Sequence, residues 1–366
     1  MTARILSAAL AIAALSAAGA RAADSGAFDY SFNGFGTAGV VHSSEAHADF
    51  TTNYKQPAGA GLTHEWSVTP DSKLGAQLSG TYMERLSAVV QVVSQYQSDG
   101  TYRPDLEWAN LKYQITPDAD IRAGRIALPT FMYSDSVNVG YALPYVRIPL
   151  ELYDQLAVTN SDGLDGSYRF HLGATTTTVQ AFVGRFDSDV PQGYFKARGL
   201  RGLAATLEDD ALTVHLSYQE LHYDFAAEGV SLDTNDPQSL LSLGASYDPG
   251  RWYVQGEWVR TPDGQLGLMY AGNLFGGYRL GKLTAYIGYA RSYRARSGSL
   301  DIPSPLDQRT NTLGLRWDFA RHLDAKLQLD RMVLHGGLDS SFLNQQPGFN
   351  PTGTVDILSL VVDFVW

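Results

Sequence analysis

The chain has 366 residues, no cysteine and a formal net charge of −11 at pH 7. Lack of cysteine excludes a disulfide-stapled secreted scaffold. The acidic balance argues against nucleic acid as a partner, because phosphate binding needs a basic surface. Hydrophobic residues make up 44% and charged residues 18% of the chain, an average that fits a soluble protein or a barrel with one apolar and one polar face.

The first residues have the pattern of an export signal. A short basic region that contains Arg4 precedes an apolar run over 5–18. The following Ala20-Arg21-Ala22 fits the small-x-small pattern of a cleavage site. The run is too short to span a membrane as a helix, which needs about 20 residues. We therefore predict a cleaved signal peptide over 1–22 and a mature domain over 23–366, with a retained N-terminal anchor as the alternative.

Apolar and polar residues alternate with period two over nearly the whole mature chain, which is typical of strands with one face on each side of a sheet. No stretch has the pattern of a long amphipathic helix. We predict sixteen strands near 28–41, 73–82, 85–97, 104–115, 120–128, 163–172, 175–186, 198–208, 211–223, 239–248, 250–260, 267–280, 282–294, 309–319, 322–334 and 354–366.

The connections between these strands alternate in length. Short turns rich in Asp, Pro and Gly alternate with longer polar segments at 42–62, 128–163, 187–197, 225–238, 295–308 and 336–353. Short turns on one side and long loops on the other indicate an all-β fold, a transmembrane antiparallel β-barrel. Sixteen strands would leave an aqueous lumen. A count of fourteen or eighteen strands remains an alternative, because the segments 59–67 and 187–197 can be assigned either as strand or as loop.

The last strand supports a membrane location. Leu358, Leu360, Val362, Phe364 and Trp366 fall on one face of this segment. A terminal tryptophan would be exposed in water, but in a bilayer it can lie in the aromatic belt at headgroup level. Further aromatic residues lie near the short turns, as in the girdle of such barrels. An ordinary edge strand of a secreted β protein is the alternative interpretation.

The segment 128–162 is the longest connection and is richer in aromatic residues and proline than an exposed loop should be. Long loops are usually functional or disordered, and this composition is wrong for disorder. We predict that it is a third external loop that folds into the lumen and narrows it. Its charged residues are then candidate constriction residues: Asp135, Arg147, Glu151 and Asp154. A cover over the external mouth or a subunit contact is the alternative.

Basic residues at inward positions of the predicted strands would face this loop. Arg122 and Arg125 have opposite parity, so a regular strand sends only one of them inward, and we favour Arg125. An acidic loop opposite a basic wall would create a transverse field in the pore. Alternatively, each arginine neutralises a nearby carboxylate. The candidate wall residues are Lys112, Arg125, Arg169, Arg316 and Lys326.

Enzymatic signatures are weak. The best candidate catalytic residues of a hydrolase are His215, His222 and His42. However, the sequence has no G-x-S-x-G motif and no histidine pair with the spacing of a helical zinc site. Asp233, Asn235 and Asp236 are not followed by a calcium-binding loop. We therefore expect no catalytic residue, no metal and no cofactor.

Several stretches resemble the Gram-negative diffusion porins and, more closely, a group of porin-like proteins of proteobacteria. The resemblance is densest over 71–170, at 71–77, 86–94, 106–113, 122–126 and 138–142. It implies a passive channel, usually a homotrimer, with a third loop in the lumen and a pore-facing arginine at Arg125. The loop departs from general porins, because it is rich in tyrosine and proline and lacks their short acidic signature.

The prediction is therefore an outer-membrane porin for passive diffusion of ions and small hydrophilic solutes. Its expected partners are outer-membrane lipid and two further copies of the chain. A plugged or narrow barrel with a structural or adhesive role is the alternative, and an outer-membrane hydrolase is a distant third.

Overall fold

A computed structural model describes residues 28–156, 158–191, 193–227, 230–233, 237–300, 306–337 and 341–366. The predicted signal peptide lies outside these residues. Within them, none of the helices has the length and apolar character needed to cross a membrane.

The described residues form sixteen long antiparallel strands. In chain order these are β1 (Phe28–Ser43), β2 (Lys73–Tyr82), β3 (Leu86–Gln95), β4 (Pro104–Thr116), β5 (Ala119–Ala127), β6 (Asn160–Leu172), β7 (Thr175–Val190), β8 (Gly193–Asp209), β9 (Leu212–Ala227), β10 (Gln238–Tyr247), β11 (Trp252–Asp263), β12 (Gly267–Leu280), β13 (Leu283–Ser297), β14 (Gln308–Ala320), β15 (Leu323–Leu334) and β16 (Thr354–Val365).

Each strand pairs with its neighbours along the chain, and β1 closes the sheet by pairing with both β2 and β16. The closed sixteen-stranded barrel confirms the predicted fold class. Two short strands, Trp66–Ser67 and Val230–Asp233, add to this sheet. One predicted loop is wrong: β7 continues to Val190 and β8 begins at Gly193, so 187–197 belongs mostly to a hairpin.

The two faces of the wall differ as the period-two pattern predicts. On β16, Leu360 is 49% exposed whereas Ser359 and Asp363 on the opposite face are fully buried. Large exposed apolar side chains recur at alternate positions of the other strands, for example Leu111, Ile287 and Leu313. A continuous apolar outer surface of this kind is a liability in water and is typical of a wall that faces lipid.

The connections separate into two ends. Seven short turns lie at 83–85, 117–118, 173–174, 210–211, 248–251, 281–282 and 321–322, which we call the short-turn end. The longer connections lie at the opposite, long-loop end. Outward aromatic residues gather near the short-turn end, as predicted, and include Tyr113, Tyr247, Trp252, Tyr278 and Trp317.

The third loop (residues 128–159) contains three short helical turns: Ser134–Ser136, Gly140–Ala142 and α1 (Leu150–Tyr153). Pro149 precedes α1, a position where its fixed φ and missing N–H cost nothing. Buried residues of the third loop join inward residues of β7–β13 in two apolar clusters. A third apolar cluster joins Leu150 to residues of β1, β15, β16 and two other long loops.

Candidate functional site: the inner wall and the third loop

Arg147 ties the third loop to two inward carboxylates. Its guanidinium donates to Asp71 Oδ1 and Oδ2 at 3.0 and 2.7 Å and to Asp330 Oδ2 at 2.7 Å, and it also contacts the Ser359 hydroxyl. Its side chain is only 9% exposed. Burial by itself would lower the pKa of Arg147, but Asp71 and Asp330 raise it above its ordinary value, so the charge is retained in this enclosed position.

A second anchor binds backbone carbonyls of the third loop. Lys326 Nζ donates to the Gly140 carbonyl at 2.7 Å and to Asp363 Oδ2 at 2.8 Å. Arg316 donates to the carbonyls of Tyr141 and Leu143 at 3.0 and 2.8 Å. Both cations lie on inward faces of their strands, and both are covered by the loop that they bind.

The aromatic side chains of the third loop provide a third set of contacts. The Tyr145 ring lies 4.6 Å from the Phe275 ring, centroid to centroid. Tyr133 Oη donates to Gln255 Oε1 at 2.7 Å, and Tyr153 Oη donates to Glu257 Oε1 at 2.8 Å. The loop is rich in tyrosine because a phenol can fill space against the wall and still satisfy an inward amide or carboxylate.

The four predicted constriction residues fall into two groups. Arg147 and Glu151 form the buried group, and Arg147 is the anchor described above. The Glu151 carboxylate accepts from Gln308 Nε2, which donates to Oε1 at 2.9 Å, and from the Thr310 hydroxyl. Burial raises the pKa of Glu151. By contrast, Asp135 is exposed and Asp154 lines an open cavity. Asp135 and Asp154 are therefore the two that stay accessible to solvent.

Two other long loops pack beside the third loop. The two-residue strands Asp49–Phe50 and Ala60–Gly61 pair with each other, and Phe342–Leu343 pairs with Asp49–Phe50. Phe50 belongs to the same apolar cluster as Leu150, and its ring lies 5.4 Å from the Arg147 guanidinium. The first and last long loops therefore support the Arg147 anchor.

A cavity lies between the first long loop and the third loop. Its volume is about 130 Å³, and its lining combines Tyr54, Lys55, Glu107, Asn138 and Asp154. This mixture of cationic, anionic, amide and phenol groups suits a hydrated path better than a tight site for one apolar ligand.

Other inward residues are free of the third loop. Lys112, Arg122 and Arg169 have no hydrogen bond or ion pair to its described residues. Arg122 instead pairs with Asp165, with 3.0 Å between Nε and Oδ2. Lys112 lies directly opposite Arg122 in the sheet and has no ion pair within the described part of the chain. Arg169 donates to the Pro117 carbonyl at 3.4 Å.

The predicted orientation of Arg125 is wrong. Arg125 has the parity of Ile121, which is exposed on the outer face, and its Nε donates to the exposed Asp162 at 2.8 Å. Arg122, three residues earlier, has the inward parity. The sequence favoured the wrong arginine of the two, because residues four apart on a regular strand share one face and the apolar Ile121 lies on the outer face.

Sequence reasoning missed the carboxylates that hold the third loop. Asp71, Asp330 and Asp363 each accept from a cation that either belongs to the loop or binds it. Their inward parity could be read from Leu329 and Val362, the outward neighbours of two of them, but their partners lie far away in sequence. His215, one of the three candidates of the hydrolase hypothesis, has a ring nitrogen 2.9 Å from the Thr206 hydroxyl and another 3.2 Å from the Pro129 carbonyl. It is therefore another contact of the loop.

No group of three or more His, Cys, Asp or Glu within the described residues could hold a metal ion.

No protein-family model and no curated protein matches the sequence, so the sequence resemblance to porin-like proteins stays a prediction. Solved structures match the fold over nearly the whole chain. OmpF of Salmonella typhi, in a complex with daunomycin, superimposes with a TM-score of 0.60 at 13% identity, covering 95% of this chain and 100% of that one.

The outer-membrane channel DcaP of Acinetobacter baumannii gives a TM-score of 0.60 at 10% identity, with 95% of this chain and 100% of that chain covered. OmpT, an outer-membrane protein of Vibrio cholerae, gives a TM-score of 0.59 at 13% identity, with 94% of this chain and 99% of that chain covered. The fold is that of the outer-membrane porins.

Proposed function

We propose that this chain is an outer-membrane porin, a passive channel whose water-filled passage runs between the third loop and the inner wall of β3–β6. One observation carries the proposal: the polar contacts of the third loop lie mainly on β9, β11 and β13–β16, with Lys73 and Glu107 as further contacts on β2 and β4. By contrast, Lys112, Arg122 and Arg169 on β4–β6 have no bond to its described residues. A loop held against one side of a wide barrel narrows the lumen without filling it.

The chemistry of this passage favours small hydrophilic solutes and ions. Asp135 and Asp154 lie on the loop side, and Lys112, Arg122 and Arg169 lie on the wall side. Opposed charges across a narrow path orient dipolar solutes and disfavour apolar ones. No catalytic residue is proposed, because His215 is engaged by the loop and the wall.

The proposal includes export by the signal peptide 1–22, insertion in the outer membrane and assembly as a homotrimer. One matching structure, of OmpT from Vibrio cholerae, is described as a trimer form. The outward faces of β1 and β2 carry the small residues Ala38 and Ala76 among larger apolar ones. A flat apolar surface of this kind suits close packing against a second copy.

The proposal is tested by folding the mature chain in detergent and recording conductance in a planar bilayer with asymmetric KCl. We expect ohmic steps in groups of three and a reversal potential that reports ion selectivity. A heat-modifiable, folded barrel that never conducts would contradict the channel proposal.

A plugged or adhesive barrel is the second candidate. It is favoured by the packing of the first and last long loops beside the third loop, which together cover part of the long-loop end. Removal of the third-loop anchors distinguishes the two, because a plugged barrel would begin to conduct only in the variant.

A further inference from the structure

The first long loop (44–72) joins β1 to β2, but its tip reaches the wall at β7. Tyr54 lies at this tip, and its ring packs against the apolar cluster that contains Phe186 of β7. The Tyr54 hydroxyl also forms a hydrogen bond with the side chain of Ser188 on the same strand. Counting from β2, β7 is the fifth strand along a wall of sixteen. The tip therefore spans the long-loop end of the barrel instead of folding back over its own pair of strands.

A buried amide holds the base of this tip. Gln56 is 1% exposed, and its Nε2 donates to the carbonyls of Thr69 and Pro70 at 3.1 and 3.0 Å. Its Oε1 accepts from the Thr52 backbone N–H at 3.0 Å. One side chain thus ties the turn that carries Tyr54 to the segment that leads into β2. Because the turn is already ordered by these bonds, little conformational entropy is left to oppose the contact with β7.

The space beside the tip is small and polar. The cavity of about 130 Å³ described above is bounded by the tip, the third loop and the ends of β2–β4. Lys55 of the tip and Glu107 of β4 both line it. Glu107 Oε1 accepts from the Thr159 hydroxyl at 3.1 Å and from Asn160 Nδ2 at 3.2 Å. These bonds fix the wall side of the opening against the end of the third loop.

The surroundings of the Tyr54 hydroxyl support this placement. Burial raises the pKa of Tyr54, and the hydrogen bond with Ser188 opposes that shift. The negative charges of Glu107, Asp154 and Asp105 raise the same pKa further. Charges more than about 10 Å away are largely screened at ordinary salt, so these carboxylates lie near the phenol. Residues of β4, of the third loop and of β7 thus surround one hydroxyl group of the first long loop.

We propose that Tyr54 and the tip of the first long loop form an outer size filter of the channel, in addition to the third loop. A tip that spans from β2 to β7 divides a wide opening, and solutes reach the passage along β3–β6 beside Tyr54. The filter admits compact hydrophilic solutes of about monosaccharide size, because the cavity is smaller than the pockets of about 300–1,000 Å³ that hold drug-sized ligands. This inference rests on the proposed channel and names the residue that sets its upper size limit.

The first experiment tests whether the tip reaches β7. The chain has no cysteine, so a short thiol-reactive cross-linker can join the two new thiols of Y54C/S188C in the folded barrel. Y102C/S188C is the matched control, because Tyr102 is also a tyrosine of a long-loop-end connection and is 41% exposed, but that connection joins β3 to β4. We expect an internal link in Y54C/S188C, identified by mass spectrometry of the digested chain. No link in this pair, or equal yields in both pairs, would overturn the proposal.

The second experiment measures the size limit by the swelling of proteoliposomes in arabinose, glucose, sucrose and raffinose. We expect Y54A to raise the swelling rate in sucrose relative to arabinose, because loss of the ring widens the opening. Y102A should keep the wild-type ratio. Y54F and S188A each remove the hydrogen bond between the tip and β7 but keep the packing of the tip, so they should shift the ratio in the same direction.

The conservative variants keep the test decisive if Y54A folds poorly, which its urea midpoint would report. An unchanged ratio in Y54A, Y54F and S188A would overturn the filter. Arg147→Gln should differ from all three by noisier single-channel conductance, because it releases the third loop and not the first. A shift in Y54A that always comes with such noise would assign Tyr54 to the support of the third loop and overturn its role as a filter.

The same preparations separate this inference from the proposed function. If wild type admits arabinose and Tyr54 variants keep its size limit, the filter is wrong and the channel stands. If no variant admits any sugar or conducts, the proposed channel is wrong and the filter falls with it, even where Y54C/S188C forms its link.

Discussion

The indole ring of Trp366 lies over Gly34 at the seam where the last strand meets the first. The two residues exchange backbone hydrogen bonds, from Gly34 N to Trp366 O at 3.1 Å and from Trp366 N to Gly34 O at 3.0 Å. A Cβ built on Gly34 would lie 1.9 Å from Cζ2 of the indole. Phe364 covers Gly36 in the same way, so terminal aromatic rings and bare glycines fit together along the closing pair of strands.

Gly34→Ala should therefore weaken barrel closure. The added methyl group collides with a rigid ring, and overpacking of this kind costs about 1–3 kcal/mol. The measurement is the urea midpoint of barrel unfolding, and the heat-modifiable mobility of the barrel reports how much of it is still folded at each urea concentration. Gly166→Ala is the matched control, because a Cβ at this strand glycine meets its nearest atom at 3.6 Å. An equal loss in both variants would mean that the ring contact at the seam is unimportant.

Arg147→Gln should release the third loop from the wall. The substitution leaves Asp71 and Asp330 buried without their cation, and breaking a buried pair costs about 3–5 kcal/mol. We expect larger and noisier single-channel conductance together with a lower urea midpoint.

Asp135→Asn provides the control for this experiment, since Asp135 is exposed on the same loop and forms no ion pair among the described residues. It should change ion selectivity but leave channel noise and stability unchanged. Quiet, wild-type conductance in Arg147→Gln would show that the other anchors hold the loop alone.

Lys112→Gln and Arg122→Gln should each make the channel more cation-selective. Both side chains face inward beside the proposed passage, and loss of a fixed positive charge lowers the local concentration of anions. A lower anion-to-cation permeability ratio than in wild type is expected, read from the reversal potential in asymmetric KCl.

Arg125→Gln separates the inward from the outward arginine of β5. Arg125 pairs with Asp162 on the outer face, so its removal should leave the reversal potential unchanged. A larger shift for Arg125→Gln than for Arg122→Gln would restore the orientation that the sequence suggested and refute the structural one.

Glu151 should make barrel stability depend on pH. Burial raises the pKa of Glu151, so the folded state holds the proton more tightly than the unfolded chain. The resulting destabilisation is absent below the unfolded pKa of about 4.3 and grows as pH rises through the raised folded pKa.

Glu151→Gln removes this titration while keeping an oxygen for the amide of Gln308. Its urea midpoint should rise relative to wild type as pH increases from about 4 to about 8. Glu208→Gln, at an exposed position on β8, should follow wild type throughout. A constant difference between Glu151→Gln and wild type across this range would contradict the assignment.

Much of the fold could be predicted from alternation alone. The β12 segment 267–280 and the β2 segment 73–82 were placed at their observed bounds, because a barrel wall imposes period two on each strand. The pairing of Val190 with Gly193 was missed, since both residues lie in a polar stretch where strands extend beyond the apolar band and lose the hydrophobic signal.

The candidate site was only partly predictable. Parity identified Lys112, Arg169, Arg316 and Lys326 as inward, but gave no means to tell which inward residues the third loop would cover. Arg316 and Lys326 bind loop carbonyls, whereas Lys112 stays free of the loop. That difference depends on which part of the wall the loop packs against, which no local pattern encodes.

The sequence by itself determined a closed antiparallel barrel with an apolar outer face, because side-chain alternation is a local consequence of backbone geometry. Only the tertiary structure decided that Arg147 and Glu151 are buried anchors and that Tyr54 reaches β7. Asp71 and Arg147, or Glu151 and Gln308, are far apart along the chain and meet only after closure. Which charge neutralises which is therefore settled by three-dimensional distance and burial.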